Sequence, residues 1–377
     1  MSAWQAWADA EIARIHAAGQ WRAPRDLDGA GPEGKLAPDG RAVVAFASND
    51  YLGLTQHPAV VAAAHAALDR WGAGAGAARL IVGSRPVHRE LEAALAAWKG
   101  TDAAVLFPTG FAANLGVLTA LGGPDTLICS DALNHASIID GTRLARGEVA
   151  VYPHRDLDAL DHLLATRGHR RALVVTDTVF SMDGDAADVA ALTDLCTRHD
   201  ALLVVDEAHA VLGPDVPPLE RVVRVGTLSK TLGALGGFVA APRALADLLV
   251  NRARSYIFTT ASTPADAAAA LAAVGVVRGP EGAALVARLR AHVDLLRPGH
   301  PSPILPVLCG SEARALAAAA TLLERGILVP AIRPPTVAPG TSRLRIALSA
   351  AHTTEQVLHL RATLAELGLR AGAGGAP

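Results

Sequence analysis

The chain has 377 residues, about half of them apolar, and a formal net charge of −2. That size supports two lobes, and the charge balance gives no electrostatic attraction for nucleic acid or an anionic membrane. Cys129, Cys196 and Cys309 are odd in number and far apart, which argues against a disulfide framework or a zinc knuckle, and no apolar run approaches the roughly 18 residues of a membrane span.

Asp9 and Glu11 stand where a signal peptide would be apolar, so the cytoplasm is the expected compartment. Residues 3–18 carry the spacing of an amphipathic helix, and 23–40 read as a loop rich in Gly, Pro and Asp. From there to about residue 245 short apolar runs alternate with helical patterns. The predicted strands are 43–47, 103–107, 126–130, 149–152, 172–176, 202–206, 222–225 and 237–240; helices are expected at 90–98, 112–121, 157–167 and 188–199. Strands apolar throughout and separated by helices indicate a mainly parallel sheet covered on both faces. A helical bridge over 264–297 leads to a small α+β lobe with strands at 304–308, 328–332 and 344–348 and helices at 311–325 and 353–367. The expected division is an N-terminal helix and segment over 1–45, a large domain over 46–275, a small domain over 276–369, and a Gly/Ala-rich tail over 370–377 without fixed structure.

Ligands of such sheets gather at the carboxyl ends of the strands, so the polar clusters there are the candidates for chemistry. The first, Pro108-Thr109-Gly110-Phe111, opens a helix whose free amides suit an anion. His135, in Asn134-His135-Ala136-Ser137, can stack on an aromatic ring or serve as an ordinary structural histidine. Asp206-Glu207-Ala208-His209 has two sharp readings. It spells the DEAH form of a helicase box, and Gly29 to Lys35 has the spacing of a phosphate loop. That reading fails because Leu36 replaces the magnesium-binding hydroxyl and Pro38-Asp39-Gly40 forbids the helix that should follow. The other reading is an aspartate that keeps a pyridine nitrogen protonated as an electron sink.

Lys230 closes the next strand, in Val222-Val223-Arg224-Val225-Gly226-Thr227-Leu228-Ser229-Lys230. Among 34 basic residues only Lys35, Lys99 and Lys230 are lysines, so a surviving lysine hints at a required primary amine. Lys35 in its loop and Lys99 at a helix end read as solvated surface residues. Lys230, 24 residues beyond Asp206 and beside two hydroxyls, has the setting of a Schiff-base lysine with a phosphate nearby.

Over residues 19–368 the chain resembles the α-oxoamine synthase group of fold-type I pyridoxal 5′-phosphate (PLP) enzymes. The resemblance rests on Ser48-Asn49-Asp50-Tyr51-Leu52-Gly53-Leu54, Thr109-Gly110-Phe111-Ala112-Ala113-Asn114, Asn134-His135-Ala136-Ser137, Phe180-Ser181-Met182-Asp183-Gly184-Asp185, Asp206-Glu207-Ala208-His209 and Thr227-Leu228-Ser229-Lys230. Ala331-Ile332-Arg333-Pro334-Pro335-Thr336-Val337, followed by Gly340-Thr341 and Arg343-Leu344-Arg345, points to the biotin-pathway branch over its relatives.

The resemblance implies an α/β transferase with a mainly parallel seven-stranded sheet and a small C-terminal domain. It implies decarboxylative condensation of L-alanine with a pimeloyl thioester, carried by CoA or by an acyl-carrier protein. A sister activity joining glycine to acetyl-CoA shares the same PLP motifs. By the same resemblance Lys230 holds PLP and moves the Cα proton, Asp206 pairs with the ring nitrogen, His209 bonds the ring hydroxyl, and His135 stacks over the ring. Gly110, Phe111 and Thr227 hold the phosphate, with Ser181 beside the cofactor. Thr259 or Thr260 reaches a neighbouring subunit's phosphate, which implies a homodimer. Asn49 and Arg345 bind the amino-acid carboxylate, and Arg22 and Thr336 contact the substrate. One departure stands out: the stretch after His209, Ala210-Val211-Leu212-Gly213-Pro214-Asp215, is shorter than the family's usual glycine-rich loop.

Overall fold

The computed structural model describes residues 1–217 and 221–371, and the expected tail beyond residue 371 lies outside them. The chain forms two compact units, one of residues 49–290 and one of residues 1–48 with 291–377. The N-terminal segment, expected as a piece of its own, therefore groups with the C-terminal lobe.

In that unit, helix α1 (Ala3–Ala17) is capped by Ser2 and has no fully buried residue; near its end His16 stacks on Trp21 at 4.3 Å. The segment expected as a loop instead holds β1 (Leu27–Asp28) and β2 (Glu33–Leu36), which pair as an antiparallel hairpin and continue into β3 (Arg41–Ala45). The hairpin closes tightly: a Cβ on Gly29 would lie 2.3 Å from the Glu33 carbonyl oxygen. Gly29 to Lys35 is thus a strand pair and not a phosphate loop, which removes the helicase reading.

The large unit begins with α2 (Pro58–Trp71) and α3 (Pro86–Lys99), each with proline in its first turn and glycine beyond its last. Its sheet comprises β4 (Ala103–Phe107), β5 (Thr126–Asp131), β6 (Glu148–Tyr152), β7 (Arg171–Asp177), β8 (Leu202–Asp206), β9 (Val222–Thr227) and β10 (Gly237–Ala241). Spatial order is β4-β10-β9-β8-β7-β5-β6, and all neighbours are parallel except β10, which is antiparallel to both β4 and β9. Alternate residues of the strands face opposite ways. Leu173, Val175 and Val204 pack with α4 (Gly110–Leu121) and α8 (Arg243–Arg252). Ala172, Val174, Leu203 and Val205 pack with α6 (Leu157–Thr166) and α7 (Val189–Arg198). Both faces are covered, which is why these strands read as unbroken apolar runs. Helix α5 (Ala136–Leu144) lies on α4; α9 (Arg254–Ile257) is a single turn. The expected bridge is two helices, α10 (Pro264–Arg278) and α11 (Pro280–Leu296), broken at Gly279 and Pro280.

The remaining elements belong to the unit of residues 1–48 and 291–377. Strands β11 (Ile304–Gly310), β13 (Ala331–Ile332) and β14 (Ser342–Ala347) form an antiparallel sheet in the order β11-β14-β13, with α12 (Glu312–Glu324) against it. The strand expected at 328–332 is split, because β12 (Ile327–Leu328) pairs in parallel with β3 while β13 pairs with β14. Helix α13 (Thr354–Glu366) ends the described fold with a Thr353/Gln356 capping box. Among the described residues no single helix is long and apolar enough to cross a membrane.

Candidate active site

In the large unit the sheet delivers its polar residues at the carboxyl ends of its strands. β4 runs through Thr109 into Gly110, β5 leads to His135, β7 to Ser181, β8 to Asp206 and His209, and β9 to Thr227 and Lys230.

Lys230 is half-buried, with Nζ 2.7 Å from Nε2 of His209. Nδ1 of the buried His209 lies 2.5 Å from the Tyr51 hydroxyl, which donates to Oδ1 of Asn49 at 3.1 Å. A carbonyl oxygen only accepts, so the Tyr51 proton lies toward Asn49 and the imidazole offers its Nδ1–H to the phenol oxygen. The far nitrogen then meets Lys230 as an acceptor. Tyr51 is completely buried, so the whole row is fixed by packing.

Asp206 is buried and accepts from the Ala208 amide at 2.9 Å and from Nδ2 of Asn114 at 2.6 Å. The same Asn114 amide reaches the Ser137 hydroxyl at 2.9 Å, and that hydroxyl meets Nδ1 of His135 at 2.7 Å. The Ser137 amide also donates to Nδ1, which puts the proton of a neutral His135 on Nε2. His135 is exposed at its outer edge, yet desolvation lowers its pKa; the charge of Lys230 acts the same way and that of Asp206 opposes it. Its backbone N–H donates to Asp177 at 2.8 Å. Asp177 sits beside Asp206 in the β7–β8 register, and burial, then the Asp206 charge, push its pKa far above the carboxylate range. Burial and the neighbouring Asp206 charge thus both disfavour a second negative charge at this strand end.

Gly110 and Phe111 open α4, where Thr109 caps by accepting the Ala112 amide at 3.0 Å. The first amides of a helix lack intrahelical partners and suit an anion. Thr227 lies against this turn: a Cβ on Gly110 would come 3.2 Å from Thr227 Cβ, and its hydroxyl meets that of Ser229 at 2.7 Å. A Cβ on Gly237 would fall 2.3 Å from the Thr109 carbonyl oxygen, so glycine is needed for β10 to pass beneath the turn. Phe111 stands edge-on to His135 at 6.4 Å. Ser181 is half-buried after β7. Thr259 is half-buried and Thr260 exposed in the loop after α9; among the described residues neither joins these networks.

In the other unit Nη2 of Arg22 donates to the Pro334 carbonyl at 3.0 Å, which brings it to the turn carrying the exposed Thr336. Arg333 reaches back to the carbonyls of Gly19 and Trp21, and burial and the nearby Arg22 lower its pKa. Trp21, Arg22, Arg25 and Arg333 border a cavity of about 660 Å³ whose apolar wall includes Leu316 and Leu323 of α12. Arg345 is buried on β14.

One expectation is overturned. Lys99 is not a solvated lysine: its side chain is 12% exposed, its Nζ is 3.0 Å from Oε2 of Glu207, and it lies over the Trp98 ring. Arg224 of β9 binds the same carboxylate through two bonds, at 2.6 and 3.1 Å. A helix-end lysine looks exposed in sequence because nothing local reports a partner 108 residues away. Tyr51, Asn114 and Asp177 were also not singled out. Tyr51 and Asn114 lie within the motifs that carry the resemblance, but their bonds to His209, Ser137 and Asp206 are tertiary.

A lysine and an aspartate on neighbouring strand ends, beside two imidazoles and a helix N-terminus, define the class of fold-type I PLP enzymes. The family model described as aminotransferase class I and II matches residues 41–364. The 8-amino-7-oxononanoate synthase of Anaeromyxobacter dehalogenans is 52% identical, covering 95% of this chain and 94% of that protein. The enzyme of the same name from a Methylobacterium species is 50% identical, covering 92% and 95%. Among solved structures, serine palmitoyltransferase from S. paucimobilis with PLP and myriocin bound aligns with a TM-score of 0.87 at 28% identity, covering 96% and 97%. The 8-amino-7-oxononanoate synthase of Francisella tularensis aligns with a TM-score of 0.71 at 25% identity, covering 86% and 98%. The chain belongs to the aminotransferase class I and II family and, within it, to the 8-amino-7-oxononanoate synthases. The residues present fit PLP: a primary amine for its aldehyde, a buried carboxylate for its ring nitrogen, and an anion-binding turn that only glycine permits.

Proposed function

We propose that this chain condenses L-alanine with a pimeloyl thioester, releasing the thiol and CO₂, to form 8-amino-7-oxononanoate for biotin. The observation that carries the chemistry is Lys230 at the end of β9 beside Asp206 at the end of β8, with His209 2.7 Å from the lysine nitrogen. The choice of substrates is supported by 52% identity to an enzyme of that name, against 28% to serine palmitoyltransferase, which aligns with a TM-score of 0.87.

PLP, when bound, supplies an electron sink for the bond electrons released at the amino-acid Cα. Lys230 would be its attachment point, Asp206 would hold the proton of the ring nitrogen, and His209 would bond the ring hydroxyl. His135 would stack on the ring, with Ser181 beside it. The amides of Gly110 and Phe111, with the Thr227 hydroxyl, would hold the phosphate. Asn49 and Arg345 are each assigned to the alanine carboxylate, which a guanidinium and an amide suit chemically. Freed when the alanine amine takes its place, the Lys230 amine would take the Cα proton as general base. Cα then bonds to the thioester carbonyl carbon, and the C–S bond breaks so that the thiol leaves. The carboxylate departs as CO₂, and the Lys230 ammonium returns a proton to Cα. Arg22 and Thr336 contact the acyl substrate.

The unit at work in this proposal is a homodimer in which Thr259 or Thr260 reaches the neighbouring phosphate. Exposed Ile81, Val82 and Phe258 support it: they lie on segments joined by the Ala261–Ala77 backbone bond, and apolar surface of this kind marks an interface. The free, buried cysteines suit a reducing cytoplasm, where we place the enzyme.

Product analysis by mass spectrometry tests this. L-alanine, L-serine and glycine are each offered with pimeloyl, palmitoyl and acetyl thioesters on CoA or a carrier protein. The expected product is 8-amino-7-oxononanoate from alanine and the pimeloyl thioester. Exclusive turnover of serine with palmitoyl-CoA, or of glycine with acetyl-CoA, would replace it with a sister activity.

A further inference from the structure

His154 follows β6, away from the residues assigned above, and lies between two carboxylates. Nδ1 is 2.9 Å from Oδ1 of Asp131, and Nε2 is 2.9 Å from Oδ2 of Asp185. Both partners are acceptors, so both ring nitrogens carry protons and the ring is an imidazolium. Asp131 lies four residues before His135; Asp185 lies four residues after Ser181. The next residue doubles the tie. Arg155 adopts a left-handed conformation (φ 59°), which lets its amide donate to Oδ2 of Asp131 at 2.9 Å and its guanidinium to Oδ2 of Asp185 at 3.1 Å. A non-glycine residue holds that conformation only where its surroundings enforce it. Phe180, next to Ser181, packs edge-on to His154 at 4.3 Å.

We propose that His154 is a positioning residue: as a cation it ties the loop carrying His135 to the turn carrying Ser181, and so sets the spacing of two walls of the cofactor site. The assignment of those walls rests on the function proposed above; the tie itself does not. The groups facing the imidazole are Asp131 from the end of β5, Asp185 from the turn after β7, and Arg155 from its own segment. Burial disfavours the cation, but the hydrogen bonds and charges of the two aspartates outweigh it and raise the pKa to about 9. Above that pH one carboxylate loses its donor and the tie opens.

Hydrogen–deuterium exchange of the holoenzyme, read by mass spectrometry on peptides covering 131–137 and 178–187, tests the tie. In His154→Gln both peptides should lose protection together at pH 7, by about tenfold, a typical size for residues coupled through one network. The difference from wild type should vanish toward pH 10, where wild type has lost the cation as well. Asp185→Asn should release 178–187 alone, which keeps the idea testable if His154→Gln fails to fold. PLP dissociation, followed by absorbance, should quicken in His154→Gln at pH 7 and lose its alkaline dependence. Loss of protection in only one peptide of His154→Gln, or a variant difference that does not change with pH, would overturn the tie. Exchange that behaves as expected while PLP dissociation is unchanged would leave the tie standing and remove its link to the cofactor.

Discussion

Glu207 follows Asp206 directly and is the one anion of a buried triad, so its loss should be felt more than that of either cation. Its side chain is 3% exposed and meets Lys99 and Arg224, themselves 12% and 10% exposed. Burial raises a carboxyl pKa, yet Lys99 and Arg224 together hold Glu207 below its usual range. Lys99 responds the other way: burial and the like charge of Arg224 outweigh Glu207 and lower its pKa. The two partners differ because one anion serves two cations. Glu207→Gln leaves two buried cations facing each other without a counter-charge, a loss of about 3–5 kcal/mol. Lys99→Met removes the less favoured cation, keeps the two-bond Arg224–Glu207 pair and replaces the apolar stem, so about 1–2 kcal/mol is expected. At about 2–4 °C per kcal/mol for a unit of this size, the melting temperature should fall by roughly 10 °C in the first variant and roughly 4 °C in the second. Thermal melts at fixed PLP concentration make the comparison, because bound cofactor also shifts the midpoint. Equal shifts, a larger loss in Lys99→Met, or no loss in either would refute the reasoning, and the last would return Lys99 to the surface role its sequence position suggests.

Other variants probe separate parts of the account. Tyr51→Phe keeps the buried ring but leaves Asn49 and His209 without their shared hydroxyl; kcat should fall by about tenfold and KM for L-alanine should rise, as steady-state kinetics would show. His352 is buried against Phe46, accepts no proton easily, and has its pKa lowered to about 4 by burial. Its folded value lies below the 6.5 of the free side chain, so its contribution is intact above pH 6.5 and is lost as pH falls toward 4, by about 3 kcal/mol in all. Urea midpoints across that range should fall less steeply in His352→Gln than in wild type, and parallel curves would contradict the assignment. Gly237→Val places a branched side chain where even a Cβ lies 2.3 Å from Thr109, so PLP affinity and stability should both drop; unchanged PLP titration would show that the turn can yield.

The sheet was legible because its strands are buried on both faces and carry continuous apolar runs; 103–107 and 202–206 match the structure residue for residue. The hairpin at 27–36 was not, since Gly29, Gly31 and Gly34 give a loop composition to a segment that glycine allows to pair closely. Single residues at strand ends, such as Asp206 and Lys230, stood out by residue type and position. Their supports did not: Asn114, Ser137 and Asp177 act through contacts between elements that no local pattern encodes. Lys99 shows the limit most clearly, because rarity marked it as special while its helix-end position concealed the buried carboxylate it serves.

The account turns on Lys230 as the attachment point for PLP. Borohydride reduction of the holoenzyme followed by peptide mapping tests it directly, and with only Lys35, Lys99 and Lys230 in the chain the readout is unambiguous. The pyridoxyl group should appear on the peptide containing Lys230 and on no other. Its appearance on Lys99 or Lys35, or the absence of any modified lysine in a preparation that binds PLP, would contradict the account.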